Sequence, residues 1–551
     1  MAGPAPRTDH VFPTLTPLQL TRLAAQGRLR DVRAGEVLRS AGDTSGSFFA
    51  VVGGSLEIVR GGPAGEERVA AHGEGSFTGE VNSLSGRPAF VTVRAVEDSR
   101  VIEIDRAHLL SLVQTDAELS EILLRAFILR RVQLIARGIG DVVLIGSNHS
   151  AGTLRLKEFL TRNGHPYAYV DLDRDDGVQE LLDRFHVGVG DVPVTICRGS
   201  LVLRNPSNQE LADCLGLNET VDRTVVRDVV VIGAGPAGLA AAVYAASEGL
   251  DVLVLEASAP GGQAGTSSRI ENYLGFPTGI SGQDLAARAY NQAQKFGAQL
   301  LIARRARRLV CDREPYQVET DDGGCVRARS IILATGAEYR RLGLANLARF
   351  EGMGVYYGAT FVESQLCRGD EVIVVGGANS AGQAAVFLSR AARHVHVLVR
   401  GEGLADTMSR YLIRRIEQSA NITLRARTEI VALDGAEHLE RVTWRHAESG
   451  ATETRAIRHV FSMTGAVPGT SWLDGCLALD DKGFVKTGPA LSADDLGAAR
   501  WPLTRTPFLL ETSVPRVFAV GDVRGGNLKR VAPAVGEGSI SVAFVHQVLR
   551  E

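Results

Sequence analysis

The chain has 551 residues, too many for one hydrophobic core, and its length predicts three or four domains. Its hydrophobic content of 45% and charged content of 22% are typical of a globular protein, and a formal net charge of -3 argues against nucleic-acid binding. Residues 1–10 have no apolar stretch, so no secretory signal is expected. The longest uncharged run, Val229 to about Ser247, contains a glycine-rich turn. It therefore favours a buried strand and helix over a membrane span.

Cysteine usage points to a reducing compartment, and we expect a cytoplasmic protein. No two of the six cysteines have C-x-x-C spacing, so a disulfide framework is not expected, and no metal site is predicted. The six are Cys197, Cys214, Cys311, Cys325, Cys367 and Cys476.

The first segment, residues 1–138, predicts a β-barrel followed by a helix. Short apolar runs separated by glycine-rich turns extend from Leu29 to Ile104, which is typical of a small all-β barrel or jelly roll. From about Ala107 to Arg137, apolar residues recur at three- and four-residue spacing, which predicts one helical stretch.

The second segment, residues 139–218, predicts a small α/β domain, because strand and helix patterns alternate. The predicted strands are Val142–Ile145, Tyr167–Val170 and Val194–Cys197, and the predicted helices are Leu154–Asn163, Gly177–Phe185 and Gln209–Leu215.

A first nucleotide-binding turn follows the apolar strand that begins at Val229. Its glycines suit a tight turn, a close approach of the backbone to a pyrophosphate, and close packing of the next helix on the strand. Glu256 ends the second strand, at the distance expected for a carboxylate that binds a ribose hydroxyl. A glycine-rich structural turn is the alternative. The turn comprises Gly233, Gly235, Pro236, Ala237 and Gly238.

A second turn of the same kind begins about 140 residues later, after the strand that starts at Glu371. Here the second strand is followed by Arg400 instead of an acid, and a cation at this place suits the 2′-phosphate of NADPH. The alternative is that Arg400 is a solvated surface residue. The turn comprises Gly376, Gly377, Asn379, Ser380 and Ala381.

Together with Gly261-Gly262-Gln263, Ile270–Phe276, Ala334–Gly336, Met463–Ala466 and Gly521–Val523, these turns make residues 227–551 resemble the low-molecular-weight thioredoxin reductases. The resemblance implies FAD and NADPH, a homodimer, an FAD domain of residues 226–344 and 466–551, and an inserted NAD(P)H domain of residues 345–465. It also implies that FAD is bound or lined by Gly262, Gln263, Asn272, Thr335, Gly336, Gly521, Asp522, Arg530, Val531 and Ala532, and that Gly465 belongs to the cofactor-binding set.

The redox-active segment of that family, Cys-Ala-Thr-Cys-Asp, is replaced here. The aligned residues run from Gly358 to Val362, with Gly358 and Phe361 at the two cysteine positions. Disulfide reduction needs a thiolate that attacks sulfur, so no catalytic side chain is predicted. Cys367 lies nearby and is interpreted as a buried small apolar residue. Gly401 replaces one of the family's two phosphate-binding arginines, which weakens the preference for NADPH.

The middle segment resembles glutaredoxin and thioredoxin domains. Ser150 and Thr153 occupy the two cysteine positions at the start of the first helix, where hydroxyl groups normally act as caps. Val192–Pro193 matches the cis-proline of these domains, so a cis peptide bond is predicted. A redox-inactive docking or spacer domain is expected.

Residues from about Val11 to Arg137 resemble a cyclic-nucleotide-binding domain. Gly79 and Glu80 match the start of its phosphate cassette, where a nucleotide would bind. The arginine that pairs with the cyclic phosphate is replaced by Ala89, and the backbone position of Arg87 differs from it. Losing such a pair costs roughly 1.5–3 kcal/mol, so a barrel kept for packing or for another ligand is favoured.

The predicted fold is therefore multidomain: a jelly-roll barrel with a C-terminal helix, a thioredoxin-like α/β domain and two Rossmann-like domains. The favoured function is hydride transfer from NADPH to FAD and electron delivery to an acceptor other than a disulfide, such as a quinone, a ferredoxin- or flavodoxin-type carrier, or oxygen. A redox or nucleotide sensor coupled to the barrel is the alternative, and true thioredoxin reductase activity is disfavoured.

Overall fold

The fold is given by a computed structural model. The residues it describes are 8–62, 65–79, 82–136, 142–148, 150–173, 191–197, 201–405, 407–436, 438–473 and 475–551.

The N-terminal region is a sandwich of two antiparallel sheets, with strand orders β1-β7-β3 and β2-β6-β4-β5. Buried Phe48, Phe77 and Phe127 pack together between the first of these sheets and a long helix, whereas Phe49 and Val51 pack against residues of the second sheet. The strands are β1 Arg28–Val32, β2 Val37–Arg39, β3 Phe48–Gly53, β4 Leu56–Gly62, β5 Gly65–His72, β6 Thr92–Ala95 and β7 Ser99–Ile104. The helices are α1 Thr8–Val11, α2 Pro17–Ala24, α3 Asn82–Ser85, α4 Arg106–Thr115 and α5 Ala117–Ala136.

The predicted single helix after the barrel is wrong in one respect: it is two helices, α4 and α5. Asp116 separates them in extended conformation, and its carboxylate accepts a hydrogen bond from the Leu119 N–H. A side chain that caps a helix start competes with helix continuation, which explains the break. Arg137, the predicted end of the helix, lies outside the described residues.

The middle region is a four-stranded sheet of order β11-β10-β8-β9, in which only β8 and β9 are parallel among the described strands. Its elements are β8 Val142–Gly146, α6 Ala151–Arg162, β9 Ala168–Asp171, β10 Val194–Cys197, β11 Leu201–Arg204 and α7 Asn208–Cys214. The Val192–Pro193 bond is cis, which confirms the prediction. The predicted helix Gly177–Phe185 lies outside the described residues, and β11 was not predicted.

The third region begins with a seven-stranded sheet whose centre is parallel. Its main path is β14-β13-β12-β17-β16-β15, and a seventh strand from the end of the chain pairs with β17. The chain forms the following elements of this region before it enters a second sheet: β12 Val226–Ile232, α8 Pro236–Ser247, β13 Val252–Glu256, α9 Gly282–Lys295, β14 Gln299–Ile302, β15 Ala306–Val310, β16 Tyr316–Thr320 and β17 Cys325–Leu333.

The chain then forms a second parallel sheet of order β19-β26-β20-β21-β22, with a separate three-stranded antiparallel sheet β23-β24-β25. Antiparallel pairing of β18 with β27 brings the entry and exit of this region together. Its elements are β18 Ala337–Tyr339, β19 Val355–Tyr356, α10 Phe361–Leu366, β20 Glu371–Val375, α11 Asn379–Leu388, β21 His394–Leu398, α12 Arg410–Gln418, β22 Ile422–Arg425, β23 Thr428–Asp434, β24 Arg441–His446, β25 Thr452–Arg455, β26 His459–Ser462 and β27 Ala466–Pro468.

The last segment returns to the first parallel sheet. Its elements are α13 Ala493–Ala498, β28 Val517–Ala519 and α14 Val531–Val548, and β28 is the strand beside β17. Helix α14 packs closely on α8, because Gly538 faces the Ala237 carbonyl. Both helices therefore cover the sheet beside its first glycine-rich turn.

One disulfide contradicts the expectation drawn from cysteine spacing. Cys311 and Cys476 are bonded across 165 residues of sequence, with their Cα atoms 6.1 Å apart. Both pack against one core cluster of the first parallel sheet. Cysteines so far apart in sequence are brought together only by the fold, so no local sequence pattern could predict this disulfide. None of the helices in the described part of the chain is long and apolar enough to cross a membrane.

Candidate functional site

The first glycine-rich turn has the geometry that its glycines predict. A Cβ at Gly233 would lie 2.3 Å from the Ala334 carbonyl oxygen, and one at Gly238 would lie 1.8 Å from that of Gly233. At Gly235 the nearest atom described is 3.9 Å away, which leaves space above the start of α8. The cap of α8 at Gly235 makes no side-chain hydrogen bond with the described residues, so its first N–H groups remain available for an anion.

Glu256 holds this turn in place. Its carboxylate is buried and accepts hydrogen bonds from the Ala234 N–H at 2.7 Å, the Ser258 N–H at 2.8 Å and the Ala259 N–H at 3.1 Å. Oε1 accepts the Ser258 and Ala259 bonds, whereas Oε2 accepts only the Ala234 N–H among the described residues, so Oε2 can still receive a ribose hydroxyl. Support of the turn is thus a role of Glu256 that the sequence did not reveal.

Two other predicted segments converge on the same turn. A Cβ at Gly262 would lie 3.0 Å from the Cα of Gly235, and one at Gly521 would lie 2.9 Å from the Cβ of Ala237. Gly521 also donates its N–H to Glu537 at 2.7 Å. Glycines thus let three backbone segments meet at the start of α8. We call this meeting point of Gly235, Gly262 and Gly521 the groove, and its backbone lining suits a phosphate.

The remaining residues expected at FAD differ in their surroundings. Asp522 is half-buried, and burial raises the pKa of its carboxyl group, although nearby Lys529 opposes the rise. The Gln263 side chain donates to the Ala337 carbonyl. Asn272 is exposed and stands apart from these contacts. Gly336 adopts a positive φ of 67° after β17, while Arg530, Val531 and Ala532 mark the cap and first turn of α14.

Two side chains that follow the predicted FAD segments, Thr335 after β17 and Asn527 after Gly521–Val523, carry buried polar atoms that fit a ligand. The hydroxyl of Thr335 is buried and has no hydrogen-bond partner among the described residues. The amide oxygen and nitrogen of Asn527 are in the same situation in the described part of the chain. Buried polar atoms normally have partners, so both fit a group such as FAD that supplies them. Asn527 was missed by sequence reasoning, because only its burial marks it.

The second turn repeats this construction at the start of α11. A Cβ at Gly376 would lie 2.5 Å from the Met463 carbonyl oxygen, and the Gly377 carbonyl accepts a bond from the Thr407 hydroxyl at 2.7 Å. Asn379 accepts the Ser409 N–H at 2.7 Å, while Ala381 is fully buried. Helix α11 makes no side-chain cap bond within the described residues, which again leaves N–H groups for a phosphate.

The cation beside the second turn is exposed. Arg400 follows β21 and forms no ion pair with any residue described. Arg427 lies next to it and bonds through its N–H to the Gly401 carbonyl at 2.9 Å, but its guanidinium is held by Glu402 at 2.6 Å and by Glu448. The guanidinium of Arg427 is therefore already engaged in ion pairs, unlike that of Arg400 within the part of the chain that the structure describes.

Tyr339 lies between the two turns. Burial raises the pKa of its phenol, the Asp522 carboxylate raises it further, and a hydrogen bond with Ser380 opposes the rise. Tyr339 thus contacts the start of α11 and lies within electrostatic reach of the FAD-side acid. Beside it, Gly465 accepts the Arg340 N–H at 3.2 Å and fixes the strand connection between the two sheets.

The segment aligned with the redox-active cysteines carries no sulfur. The nearest described atoms to a Cβ at Gly358 are the Thr266 Cβ and the Thr360 Cγ2, both 3.9 Å away. Phe361 begins α10, and Thr360 donates its N–H and hydroxyl to Glu363. Cys367 is fully buried, and burial raises the pKa of its thiol to about 12, which agrees with its interpretation as a small apolar residue.

The corresponding positions of the middle sheet are also free of sulfur. Ser150 caps α6 by accepting the Thr153 N–H at 3.4 Å, as its hydroxyl predicted. The Thr153 hydroxyl is buried without a hydrogen-bond partner among the described residues. A Cβ at Gly152 would lie 2.9 Å from the ring of Pro193, so the cis-proline lies against the start of α6.

The barrel contains a cavity of about 240 Å³ where the sequence suggested a nucleotide. Gly79 and Ala89 line it, together with the charged or titratable side chains of Arg39, His72 and Arg130. Glu80 lies outside the described residues. Burial and the Arg130 charge lower the pKa of His72 to about 3, so this imidazole is neutral.

Arg87 does not reach that cavity. It is buried and donates to the Tyr290 hydroxyl of α9 at 2.5 Å, with its guanidinium 5.3 Å from the Tyr290 ring centre. The side chain that stands nearest in sequence to the missing phosphate ligand therefore joins the barrel to the first parallel sheet. Loss of the phosphate-binding arginine at Ala89 is not compensated by Arg87.

Two parallel sheets, each with a glycine-rich turn before an uncapped helix, define a dinucleotide-binding flavoprotein module. Residues 227–538 match the family described as pyridine nucleotide-disulphide oxidoreductase, and residues 29–116 match the cyclic nucleotide-binding domain. The chain belongs to the pyridine nucleotide-disulphide oxidoreductase family and is an FAD-dependent oxidoreductase of the thioredoxin reductase type, a family that uses FAD and NADPH.

Curated relatives support this assignment. The NADPH-dependent thioredoxin reductase 3 of Arabidopsis thaliana is 32% identical over 368 residues, which cover 64% of this chain and 65% of that protein. The thioredoxin reductase of Treponema pallidum is 33% identical over 314 residues, covering 57% of this chain and 94% of that protein.

Solved structures agree with the fold. The thioredoxin reductase of T. acidophilum is 27% identical with a TM-score of 0.53, covering 60% of this chain and all of that one. The thioredoxin reductase of Lactococcus lactis is 26% identical with a TM-score of 0.52, covering 59% of this chain and 100% of that one.

Proposed function

We propose that the chain oxidises NADPH through FAD and passes the electrons to an acceptor that is not a disulfide. The observation that carries the proposal is a contrast: both nucleotide turns keep their close packing, while glycine and phenylalanine stand at the two cysteine positions. Attack on a disulfide needs a thiolate. The nearby thiol, Cys367, is buried with a pKa raised to about 12, so it cannot supply one at neutral pH.

The FAD site is proposed at the groove beside α8. Gly233, Gly235 and Gly238 leave room for the pyrophosphate, and Glu256 receives a ribose hydroxyl. Asp522, Thr335 and the previously unassigned Asn527 offer polar atoms to the ribityl chain and ring. Bound FAD supplies the hydride-accepting and electron-releasing chemistry, and the protein supplies binding and orientation.

The NADPH site is proposed at the start of α11. Gly376 and Gly377 allow the backbone to approach the pyrophosphate, and Arg400 pairs with the 2′-phosphate. Tyr339 supports this placement, because it contacts Ser380 on one side and lies near Asp522 on the other. Tyr339 thus connects the start of α11 with the acid proposed at the FAD side.

The test is rapid mixing of the anaerobic holoenzyme with NADPH or NADH, followed by a panel of quinones, ferredoxin- and flavodoxin-type carriers, oxygen and thioredoxin. We expect fast loss of oxidised-flavin absorbance with NADPH, slower loss with NADH, and turnover with a non-thiol acceptor. Flavin that stays oxidised with both nucleotides would refute the proposal. Turnover with thioredoxin that disappears when the six cysteines are replaced would establish the disfavoured thioredoxin reductase activity instead.

A sensor is the second candidate, and the bond between Arg87 and Tyr290 favours it. This bond ties the phosphate-cassette region of the barrel to α9, which packs beside the FAD-side helix α8. A ligand in the barrel cavity would then act on the flavin module through α9. Calorimetry with cyclic AMP and cyclic GMP, on oxidised and reduced protein, decides it: affinity that changes with flavin state supports sensing, and absence of binding opposes it.

We also propose that the chain is a cytoplasmic homodimer. Its proposed domains are residues 1–138, 139–218, 226–344 with 466–551, and 345–465. The strand order of the middle sheet, with one parallel pair and a cis-proline beside α6, supports its proposed thioredoxin-like fold.

A further inference from the structure

We infer that α6 of the middle domain is a fixed brace. It holds the NADPH-side domain in one orientation on the FAD-side domain and occupies the surface where a disulfide-bearing partner protein would dock. The inference rests on the proposed function only for its kinetic readout. Its physical basis is that one twelve-residue helix contacts both nucleotide-binding domains, one with its first turn and the other with its last.

The first turn of α6 lies against the NADPH-side domain. A Cβ at Gly352 would lie 3.1 Å from the Cβ of Ala151 and 3.5 Å from its Cα. Gly352 also has a φ of 76°, which favours glycine. A side chain at Gly352 would therefore crowd Ala151, which shows that the two segments are in contact.

The middle of α6 faces α10, the helix that begins at the second former cysteine position. Burial raises the pKa of Glu363 on α10; hydrogen bonds from Thr360 oppose the rise, and the Glu158 carboxylate on α6 adds to it. The two helices that would begin with redox-active cysteines in separate proteins therefore pack on each other within this chain. The place of a disulfide partner is filled by the chain's own residues 151–162.

The last turn of α6 is bonded to the FAD-side domain. Arg162 donates to the Gly262 carbonyl at 3.0 Å, and Asn163 donates to the Ser258 carbonyl at 3.3 Å. Gln283 of α9 donates in return to the Thr161 carbonyl at 2.6 Å. Gly262 belongs to the proposed FAD groove, so the helix is anchored directly to the cofactor-binding turn.

Apolar packing prevents α6 from moving independently of that domain. Its buried residues Leu156, Phe159 and Leu160 belong to one continuous core cluster with Val229 and Val231 of the first parallel sheet. Across this cluster, Arg304 pairs with Asp213 of α7 at 2.6 Å. Rotation of the NADPH-side domain would have to break the contacts of Gly352 and α10 against a helix that cannot follow.

A cysteine pair across the first contact tests the brace in the full-length holoenzyme. In the Ala151→Cys/Gly352→Cys variant, mild oxidation should form a disulfide, seen by mass spectrometry. The two Cβ atoms would lie 3.1 Å apart, so they need to separate by only a few tenths of an ångström to reach the about 3.5–4.5 Å of a disulfide. The oxidised form should keep its rate of flavin bleaching by NADPH within about twofold of the reduced form. The single variants, Gly352→Ala and identically treated wild type control for backbone strain and for the Cys311–Cys476 bond.

Two results of this experiment overturn the brace. One is failure of the disulfide to form although both single cysteines are folded and alkylated. The other is loss of flavin bleaching in the oxidised form that returns on reduction, because it would show that the domain must rotate. If wild-type flavin is not bleached by NADPH, the proposed function fails, while disulfide formation still reports on the brace.

Hydrogen exchange gives a second measurement if cysteine is not tolerated at Gly352. Arg162→Ala should speed amide exchange at least about fivefold in both residues 258–265 and residues 350–366, because losing one end of the brace loosens the other. Arg125→Ala, on the exposed face of α5, is the matched control and should change neither segment. Faster exchange in one segment only would show that α6 does not join the two domains.

Discussion

The turn around Gly233 and the segment around Gly358 differ in how strongly packing determines which residues can stand there. In the first, each glycine is required by a neighbour: a side chain at Gly238 would overlap the Gly233 carbonyl. In the second, the thiols are gone but the local fold persists, because Thr360 and Glu363 hold the start of α10. A nucleotide turn is therefore constrained by shape, whereas a thiol pair is constrained by chemistry alone and can be lost without loss of the fold.

The strongest test of the shape-constrained region is Gly538→Ala. Its new Cβ would lie 2.1 Å from the Ala237 carbonyl oxygen, so α14 must move away from α8 and the FAD groove opens. Overpacking of this kind costs about 1–3 kcal/mol. We expect flavin content, measured as the ratio of flavin to protein absorbance, to fall at least about tenfold.

Gly536→Ala is the matched control for that change. It lies in the same helix. Apart from its chain neighbours and the backbone of its own helix, no described atom would lie within 4 Å of its Cβ. Alanine is favoured over glycine in a helix by about 1 kcal/mol, so this variant should keep its flavin and unfold at a slightly higher temperature. Equal flavin loss in both variants would show that helix composition, not the Ala237 contact, matters.

Arg400→Ala tests the second turn, where charge adds to shape. We expect the dissociation constant for NADPH to rise about tenfold, since a charge-assisted hydrogen bond contributes roughly 1.5–3 kcal/mol and the residue is exposed. The constant for NADH should not change. Arg427→Ala is the control, because its guanidinium is already held by Glu402 and Glu448. Equal weakening for both nucleotides would remove the 2′-phosphate assignment.

The sequence predicted the features that rest on local pattern. Glycine spacing between a strand and a helix located both nucleotide turns, and hydroxyl chemistry located the cap of α6 at Ser150. The cis bond at Pro193 came from a local motif as well. These features were readable because the residues that determine them are neighbours along the chain.

The features that were missed depend on residues distant in sequence. Cys311 and Cys476 meet only after the sheet forms, and Asn527 is marked only by the burial of its amide. Arg87 lies close in sequence to the phosphate-cassette position Ala89, but it bonds to Tyr290, about 200 residues further along the chain. The contact of Ala151 with Gly352 belongs to the same class. Tertiary packing determines these contacts, and the periodicity of apolar residues along the sequence does not reveal them.

Glu363→Gln tests the segment that stands in place of the redox-active cysteines, and its expected effect on stability is smaller than the effects above. Burial raises the pKa of Glu363, so the acid contributes stability that is complete below its unfolded pKa and is lost as pH rises through the folded pKa. Glutamine keeps an oxygen for Thr360 and carries no charge beside Glu158. The variant should therefore melt about 2 °C higher than wild type at pH 8, with a smaller difference at pH 4.

The outcome of that experiment separates burial from hydrogen bonding. A variant less stable than wild type at pH 8 would mean that the ionised carboxylate is stabilised by Thr360 more than burial disfavours it. Thr360→Val in the same pH series would then show the same loss, since it removes the hydroxyl donor and keeps the side-chain shape.

The smallest expected effect belongs to the restored cysteine pair, Gly358→Cys/Phe361→Cys. If lost chemistry were the whole difference between the two regions, returning both thiols would return thioredoxin reduction. Because α6 covers α10, we expect NADPH-dependent reduction of added thioredoxin to stay at the wild-type background, while flavin bleaching is unchanged. Combining the pair with Arg162→Ala should then allow measurable reduction, because it weakens the anchor of α6. Efficient reduction by the restored pair alone would mean that the docking surface is open, and that only sulfur separates this chain from its relatives.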